Sequence, residues 1–259
     1  MDLNARGLRV IITAGAGGIG KVTAETFLSN GAKVFISDVD DAALAAMAKA
    51  HPALGTIRAD VADVAQVDRM FDAALKFLGG LDVMINNAGI AGPTAKVEDV
   101  TPDDWDRCIA VNLNGTFYCT RRAVPALKAA GGGSIVNLSS SAGRLGFPMR
   151  TPYSSAKFAL VGLTESLAIE LGPDNIRVNC IQPGIVKGDR INRVIDAKAK
   201  ALGMSFEAYQ ERLLSRVSMR RMVTAQDIAH TILFLCSDLG KNISGQSVPV
   251  CGNIETLTP

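Results

Sequence analysis

Residues 8–31 read LRVIITAGAGGIGKVTAETFLSNG, and the change of texture along them decides the fold. The apolar run Leu8 to Thr13 predicts a buried strand, AGAGGIG a glycine-dense turn, and the periodicity from Lys21 to Asn30 a helix that stops at Gly31. Taken literally, Gly15-x-Gly17-x-x-Gly20 matches the dinucleotide fingerprint. In that motif glycines let backbone amides approach a pyrophosphate, and the helix N-terminus supplies positive partial charge. The same glycines alone also describe a merely flexible turn. The next strand, Lys33 to Ser37, ends at Asp38, eighteen residues beyond Gly20, near where the fingerprint places an acid on the ribose. A carboxylate there accepts from both ribose hydroxyls and repels a 2′-phosphate, which predicts NAD rather than NADP.

The alternation continues. Helices are expected over Asp41–Ala50, Val64–Leu78, the long segment Thr101–Ala130, Tyr153–Leu171 and Thr224–Ser237. Strands are expected over Leu54–Ala59, Leu81–Ile85, the run ending at Leu138, Arg177–Ile181 and Ser247–Val250. Such a chain predicts an α/β fold, a Rossmann-like doubly wound parallel sheet of about seven strands with helices on both faces and ligands at its switch point. Asp60 and Val61 follow the third strand, where a carboxylate meets an adenine amino group or simply caps a helix or loop; position alone leaves both open. Asn86-Asn87-Ala88-Gly89 closes the fourth strand, with Asn87, Ala88 and Gly89 small enough for a ligand to come close. Pro183-Gly184 ends the sixth.

Composition narrows the function classes. At 259 residues and 48% hydrophobic the chain can bury a full core, so residues 1–259 are read as one domain. A formal charge of +2 gives no reason to expect nucleic acid, and no stretch approaches the roughly 20 apolar residues of a membrane span. The N-terminus lacks signal-peptide regions, which predicts a cytoplasmic enzyme. Cys108, Cys119, Cys180, Cys236 and Cys251 form no close pair and read as reduced, mostly buried thiols. With only His51 and His230, neither a zinc site nor a histidine-based triad is expected.

The catalytic base must come from elsewhere, and Tyr153-Ser154-Ser155-Ala156-Lys157 offers one. A Tyr and a Lys four apart share a helix face. A fixed ammonium favours the phenolate and lowers a phenol pKa that is otherwise about 10. Ser140, at the end of the strand Ser134 to Ser139, brings a hydroxyl toward that face. Asn112, inside an apolar helix, marks either local hydrogen bonding or a functional kink.

Together TAGAGGIG, Asp38, Asn86-Asn87-Ala88-Gly89, Asn112, Ser140, Tyr153-x3-Lys157 and Pro183-Gly184 resemble the short-chain dehydrogenase/reductase family over nearly the whole chain. The resemblance implies Tyr153 as catalytic acid-base, Lys157 as its pKa-lowering partner and ribose ligand, Ser140 as the donor to the substrate oxygen, and Asn112 as the kink residue holding a relay water. It also implies that Gly18, Ile19, Gly20, Asp38, Pro183, Gly184 and Val186 border the cofactor and that the chain forms a homo-oligomer, tetramer or dimer. Three departures stand out: Ala14 replaces the first glycine of the family turn, Val186-Lys187-Gly188 lacks the Thr common after Pro-Gly, and Cys251-Gly252-Asn253 replaces Asp-Gly-Gly, so terminal subunit contacts are expected to differ.

Residues 186–223 interrupt the rhythm with a helical, strandless pattern and read as a substrate lid, carrying nine basic against four acidic residues. Most of these charges are expected on a solvated face or a subunit contact, but Arg190, and Arg150 just before Tyr153, are placed to bind a substrate anion. The leading expectation is an NAD-dependent oxidoreductase interconverting a secondary alcohol and a ketone on a small polar, anionic or polyhydroxylated molecule. The alternatives are a 3-oxoacyl or other carbonyl reductase and a non-catalytic dinucleotide-binding regulator.

Overall fold

The computed structural model describes residue 3 and residues 5–254. Strands rich in Val and Ile bury side chains on both faces, as a parallel sheet covered by helices requires. β1 (Arg9–Thr13), β2 (Lys33–Asp38), β3 (Gly55–Arg58), β4 (Val83–Asn86), β5 (Gly133–Leu138), β6 (Ile176–Pro183) and β7 (Ser247–Val250) form one parallel sheet in the order β3-β2-β1-β4-β5-β6-β7. The chain runs outward from β1 to β3, then returns to lay β4 on the other side of β1. The carboxyl ends of β1 and β4 therefore flank the switch point, where a ligand crevice belongs.

On one face Val10, Ile12, Val34, Ile36 and Ile85 pack with Phe27 of α1 (Gly18–Ser29), Leu44 of α2 (Asp41–Ala50) and Ile232 of the last helix. On the other, Ile11, Met84, Ile135 and Val178 meet Phe71 of α3 (Val64–Leu78) and, beyond it, Leu127 and Leu171. Helix ends fall where their caps stand. Asp40 accepts from Ala43 N–H to start α2, Asp63 accepts from Gln66 N–H to start α3, and Gly79 ends α3 at φ 78°.

The segment 101–130 is not one helix. It divides into α4 (Pro102–Ile109), a π-helical turn at Ala110–Asn114 that includes Asn112, and α5 (Gly115–Ala129). α6 (Thr151–Leu171) carries Tyr153 and Lys157, and α9 (Ala225–Cys236) follows the lid. The helix after β1 starts at Gly18 rather than Lys21, so the last glycines of the turn form its first turn.

The segment 186–223 holds α7 (Asp189–Ala201) and α8 (Phe206–Leu214) and no strand, as its sequence predicts, but its ends are tied together by an isolated bridge. Val186 and Val223 form a parallel bridge, with Lys187 N–H donating to Val223 O at 2.9 Å and Val223 N–H to Ile185 O at 3.0 Å. A pairing this short has no periodicity to betray it. Val217 also bridges to Ile254, Ser218 N–H donates to Asn253 O, and Asn253 Nδ2 donates to Ser218 Oγ at 2.7 Å. The Gly252-Asn253 departure thus serves to hold the lid; residues 255–259 lie outside the described residues. Among the described residues no helix is long and apolar enough to cross a membrane.

Candidate active site

The turn after β1 depends on close approach. A Cβ on Gly15 would meet Ile36 at 2.6 Å, and one on Gly20 would collide with the Ala14 carbonyl and lie 2.5 Å from Asn87 Nδ2. These two glycines work by packing. Gly17 and Gly18 instead have nothing within 4 Å of such an atom. No side chain caps α1 and no acid stands in its first turn, so the N–H groups at Gly18, Ile19 and Gly20 have no intrahelical acceptor and are suited to an anion. Ala14, at φ 49°, adopts the left-handed conformation that a glycine would take at no steric cost. It is held there by Asn87, whose Nδ2 donates to the carbonyls of Thr13 and Ala14, both at 3.0 Å. Thr13 Oγ1 in turn accepts from Asn87 N–H and Ala88 N–H. The amide of Asn87 therefore shapes the turn, and Thr13 is a site-building residue that the sequence reading did not single out; its signal was a hydroxyl at the strand end before the glycines.

Asp38 is fixed beside this turn. Its Oδ2 accepts from Ala16 N–H at 3.1 Å, and its Oδ1 from Val39 N–H and Asp40 N–H. Asp60 accepts from Ala62 N–H and from Arg107 Nη2, each at 2.9 Å, so an adenine contact there must compete with an ion pair. Val61 is buried beneath Gly115, where a Cβ would meet it at 2.7 Å. The Pro183 carbonyl accepts from Ser141 Oγ, Gly184 N–H donates to Val250 O, and Val186 is tied into its bridge at the lid entrance.

Three adjacent serines end β5, and the hydrogen bonds separate them. Ser139 Oγ donates to Lys157 O at 2.7 Å and Ser141 Oγ to Pro183 O at 3.1 Å, whereas Ser140 Oγ accepts from Ala142 N–H and keeps its proton for the cleft. Lys157 is 3% exposed, donates to Leu138 O at 2.7 Å and places Nζ 5.6 Å from the centre of the Tyr153 ring. Burial alone would raise the Tyr153 pKa. The charges of Arg190 and Lys157, the Ser140 hydroxyl and Arg150 together outweigh it and hold the phenol below its ordinary value. Burial also lowers the Lys157 pKa, opposed by the phenol. These side chains form one acid-base unit.

Asn112 does both things its position allowed. Its Nδ2 donates to Cys108 O at 2.9 Å and to Ile90 O at 3.1 Å within the π-helical turn. Its buried Oδ1 has no protein partner. A Cβ on Gly89 would lie 2.7 Å from that oxygen and 3.3 Å from Lys157 Nζ, so Gly89 leaves open the space between them. All five cysteines are buried and unbridged; burial pushes the Cys119 thiol up to about 12 and the Cys236 thiol to about 11.

Arg150 and Arg190 converge on the same phenol. Their Cζ atoms lie 5.1 and 5.8 Å from the Tyr153 ring centre, and Arg190 Nη1 donates to Gly89 O at 3.2 Å. Both border a cleft of about 490 Å³, with Arg193 beside them.

Residues 14–252 match the sequence model of a family described as enoyl-(acyl carrier protein) reductase. The chain is 39% identical to subunit BbsD of a hydroxy(phenyl)methylsuccinyl-CoA dehydrogenase from Thauera aromatica, covering 93% of this chain and 94% of that one. It is 37% identical to a probable galactose dehydrogenase of Rhizobium meliloti, covering 98% and 96%. Among solved structures, NAD+-bound xylitol dehydrogenase superposes with a TM-score of 0.92 at 28% identity, over 96% of this chain and 99% of that one.

Proposed function

The chain belongs to the short-chain dehydrogenase/reductase family of oxidoreductases, and from that premise we propose that it interconverts a secondary alcohol and a ketone on a small polar substrate, using NAD. The observation that carries this reading is the cluster of partly buried Ser140 and Tyr153 with buried Lys157, whose phenol is held below its ordinary pKa. The residues present fit the cofactor: an uncapped helix start beside open glycines for the pyrophosphate, and Asp38 anchored for the ribose hydroxyls. When bound, NAD+ would supply the hydride acceptor in oxidation and NADH the hydride donor in reduction.

The chain's own residues handle the proton. Tyr153 as phenolate takes the carbinol proton while the carbon-oxygen double bond forms; as phenol it returns that proton to the carbonyl oxygen in the reverse direction. Ser140 donates to the substrate oxygen and fixes it at the phenol. Lys157 holds the phenol acidic and reaches the ribose. Asn112 Oδ1 and Lys157 Nζ border the space at Gly89 through which a water returns the proton to solvent.

Oxidation of a panel of polyols, hydroxy acids and sugar acids, followed as NADH formation, tests the reaction class; no turnover with any member would defeat it. Cofactor choice is tested separately. NAD is expected to exceed NADP in kcat/KM, and Asp38→Ala to narrow the gap by about tenfold or more, because it removes the ribose acceptor and the repulsion of a 2′-phosphate together. Equal efficiency with both cofactors in the unaltered protein would instead favour a 3-oxoacyl or other carbonyl reductase.

Assembly as a homo-oligomer belongs to the same proposal. Trp105, Phe117, Phe158 and Ile169 on α4, α5 and α6 are exposed apolar side chains, the kind a second copy would cover. Sedimentation is expected to give a dimer or tetramer, and a monomer at micromolar concentration would reject it.

A further inference from the structure

We propose that Arg150, Arg190 and Arg193 form an anion subsite, so that the molecule reacting at Tyr153 is a short hydroxy acid whose carboxylate seats among them. The choice of reacting carbon rests on the dehydrogenase reading above; the subsite itself does not.

Arg150 is the centre of the case. It is 2% exposed, and among the described residues only its Nη2 has a partner, Ala91 O at 2.5 Å, while Nε and Nη1 are buried with none. The rings of Phe147 and Tyr153 lie 5.5 and 5.1 Å from its Cζ, which eases the charge but fills no hydrogen bond. A buried unfilled donor is costly, and on a charged group more so.

The neighbours add positive charge. Arg190 and Arg193 stand three apart on α7, hence on one face of that helix, and border the same cleft as Arg150. Lys198 is fully buried, with Nζ 2.9 Å from Pro148 O and 3.9 Å from the Phe147 ring centre. Burial and the charge of Arg150 bring its pKa down to about 8. Lys198 is a cation of this segment that the solvent does not reach. Among the described residues none of these four cations has a carboxylate within 4.0 Å, although Lys200 on the same helix pairs with Asp196 at 2.8 Å.

The phenol at Tyr153 can offset one of these charges, and Lys157 faces it already. Arg190 and Arg193 are exposed and met by water, so the cations left without a counter-ion away from solvent are Arg150 and Lys198, and an anion entering the cleft would supply one. Guanidinium groups pair best with planar or tripodal oxyanions, and the short distances from Arg150 and Arg190 to the Tyr153 ring put that oxyanion only a few bonds from the carbinol carbon. Carboxylate and sulfonate share this chemistry. A long acyl carrier or an apolar polycycle would leave the donors unfilled.

The test uses the full-length protein with NAD and a set of short-chain secondary hydroxycarboxylates, each paired with its carboxamide and, where available, its sulfonate. The acid is expected to exceed its amide in kcat/KM by at least about tenfold, mainly through KM. Arg193→Gln, on an exposed helix face, and Arg150→Met are expected to reduce that preference by roughly tenfold and a hundredfold, with NADH affinity unchanged. A sulfonate that outperforms the carboxylate reassigns the anion while keeping the subsite. Equal use of acid and amide, or a preference untouched by both substitutions, overturns the proposal.

A binding measurement separates the two readings. Malonate and sulfate titrated calorimetrically into the protein, with and without NADH, are expected to bind, and to bind about tenfold more weakly to Arg193→Gln. If no alcohol is oxidised but malonate binds through these arginines, the dehydrogenase reading fails and the subsite stands. If alcohols turn over and neither anion binds, the subsite fails alone.

Discussion

Tyr153→Phe is expected to lower kcat by about 10³-fold, roughly 4 kcal/mol of transition-state stabilisation, while NADH still binds. The substitution deletes one oxygen and keeps the ring that Arg150, Arg190 and Lys157 surround, so the packing of the cleft survives. What disappears is the group that, on the proposed mechanism, ionises and meets the oxygen held by Ser140. Steady-state turnover with the best alcohol, beside a fluorescence titration of NADH, decides the matter; residual turnover within tenfold of the unaltered protein would show that the base lies elsewhere. In the unaltered enzyme alcohol oxidation should rise with pH through the ionisation of Tyr153, and ketone reduction should fall through it, because the two directions use opposite protonation states.

Lys157→Met comes next in size, with a loss in kcat of about 10²-fold or more at neutral pH and weaker NADH binding. Its diagnostic sign lies in the pH profile. Burial works to raise the phenol pKa and the Lys157 charge works against it. Without that charge the pKa rises, less phenolate is present at a given pH, and the rising limb for oxidation moves to higher pH. Arg190 and Arg150 still face the ring, so part of the activity should return in alkaline buffer. A purely structural lysine would lower the rate without moving the limb.

Local signals were legible wherever they were self-contained. Asp41–Ala50 and Val64–Leu78 run as the sequence predicts because Asp40, Asp63 and Gly79 mark their ends within a residue or two. The switch point followed from the order of strands and helices alone. Asn112 marked a kink, but the π-helical form of the turn around it was not legible, since one residue added to a helical turn leaves an apolar pattern almost unchanged. Nor was the work of the glycines: the fingerprint is the same string whether a position faces open space, as Gly17 and Gly18 do, or a neighbouring strand, as Gly15 does. Arg150 could be placed near the catalytic helix by its number, but its burial depends on Phe147, Ala91 and α7, which reach it only through the tertiary fold. The lid charges show the same limit, because period and composition do not distinguish Lys198, inside, from Lys200, outside.

The bridge between Val186 and Val223 closes residues 187–222 into an excursion from the sheet, tied again to the framework at Val217–Ile254 and Ser218–Asn253. The entropy of closing such an excursion grows only slowly with its length, so insertions and replacements between those anchors disturb the sheet little. On the proposal above, Arg190 and Arg193 travel with this stretch, while Arg150, the Tyr153–Lys157 helix and the glycine turn stay on the framework. Transplanting this stretch between relatives should transfer substrate preference without rebuilding the chemistry, and new specificities can arise here by recombination as readily as by point mutation.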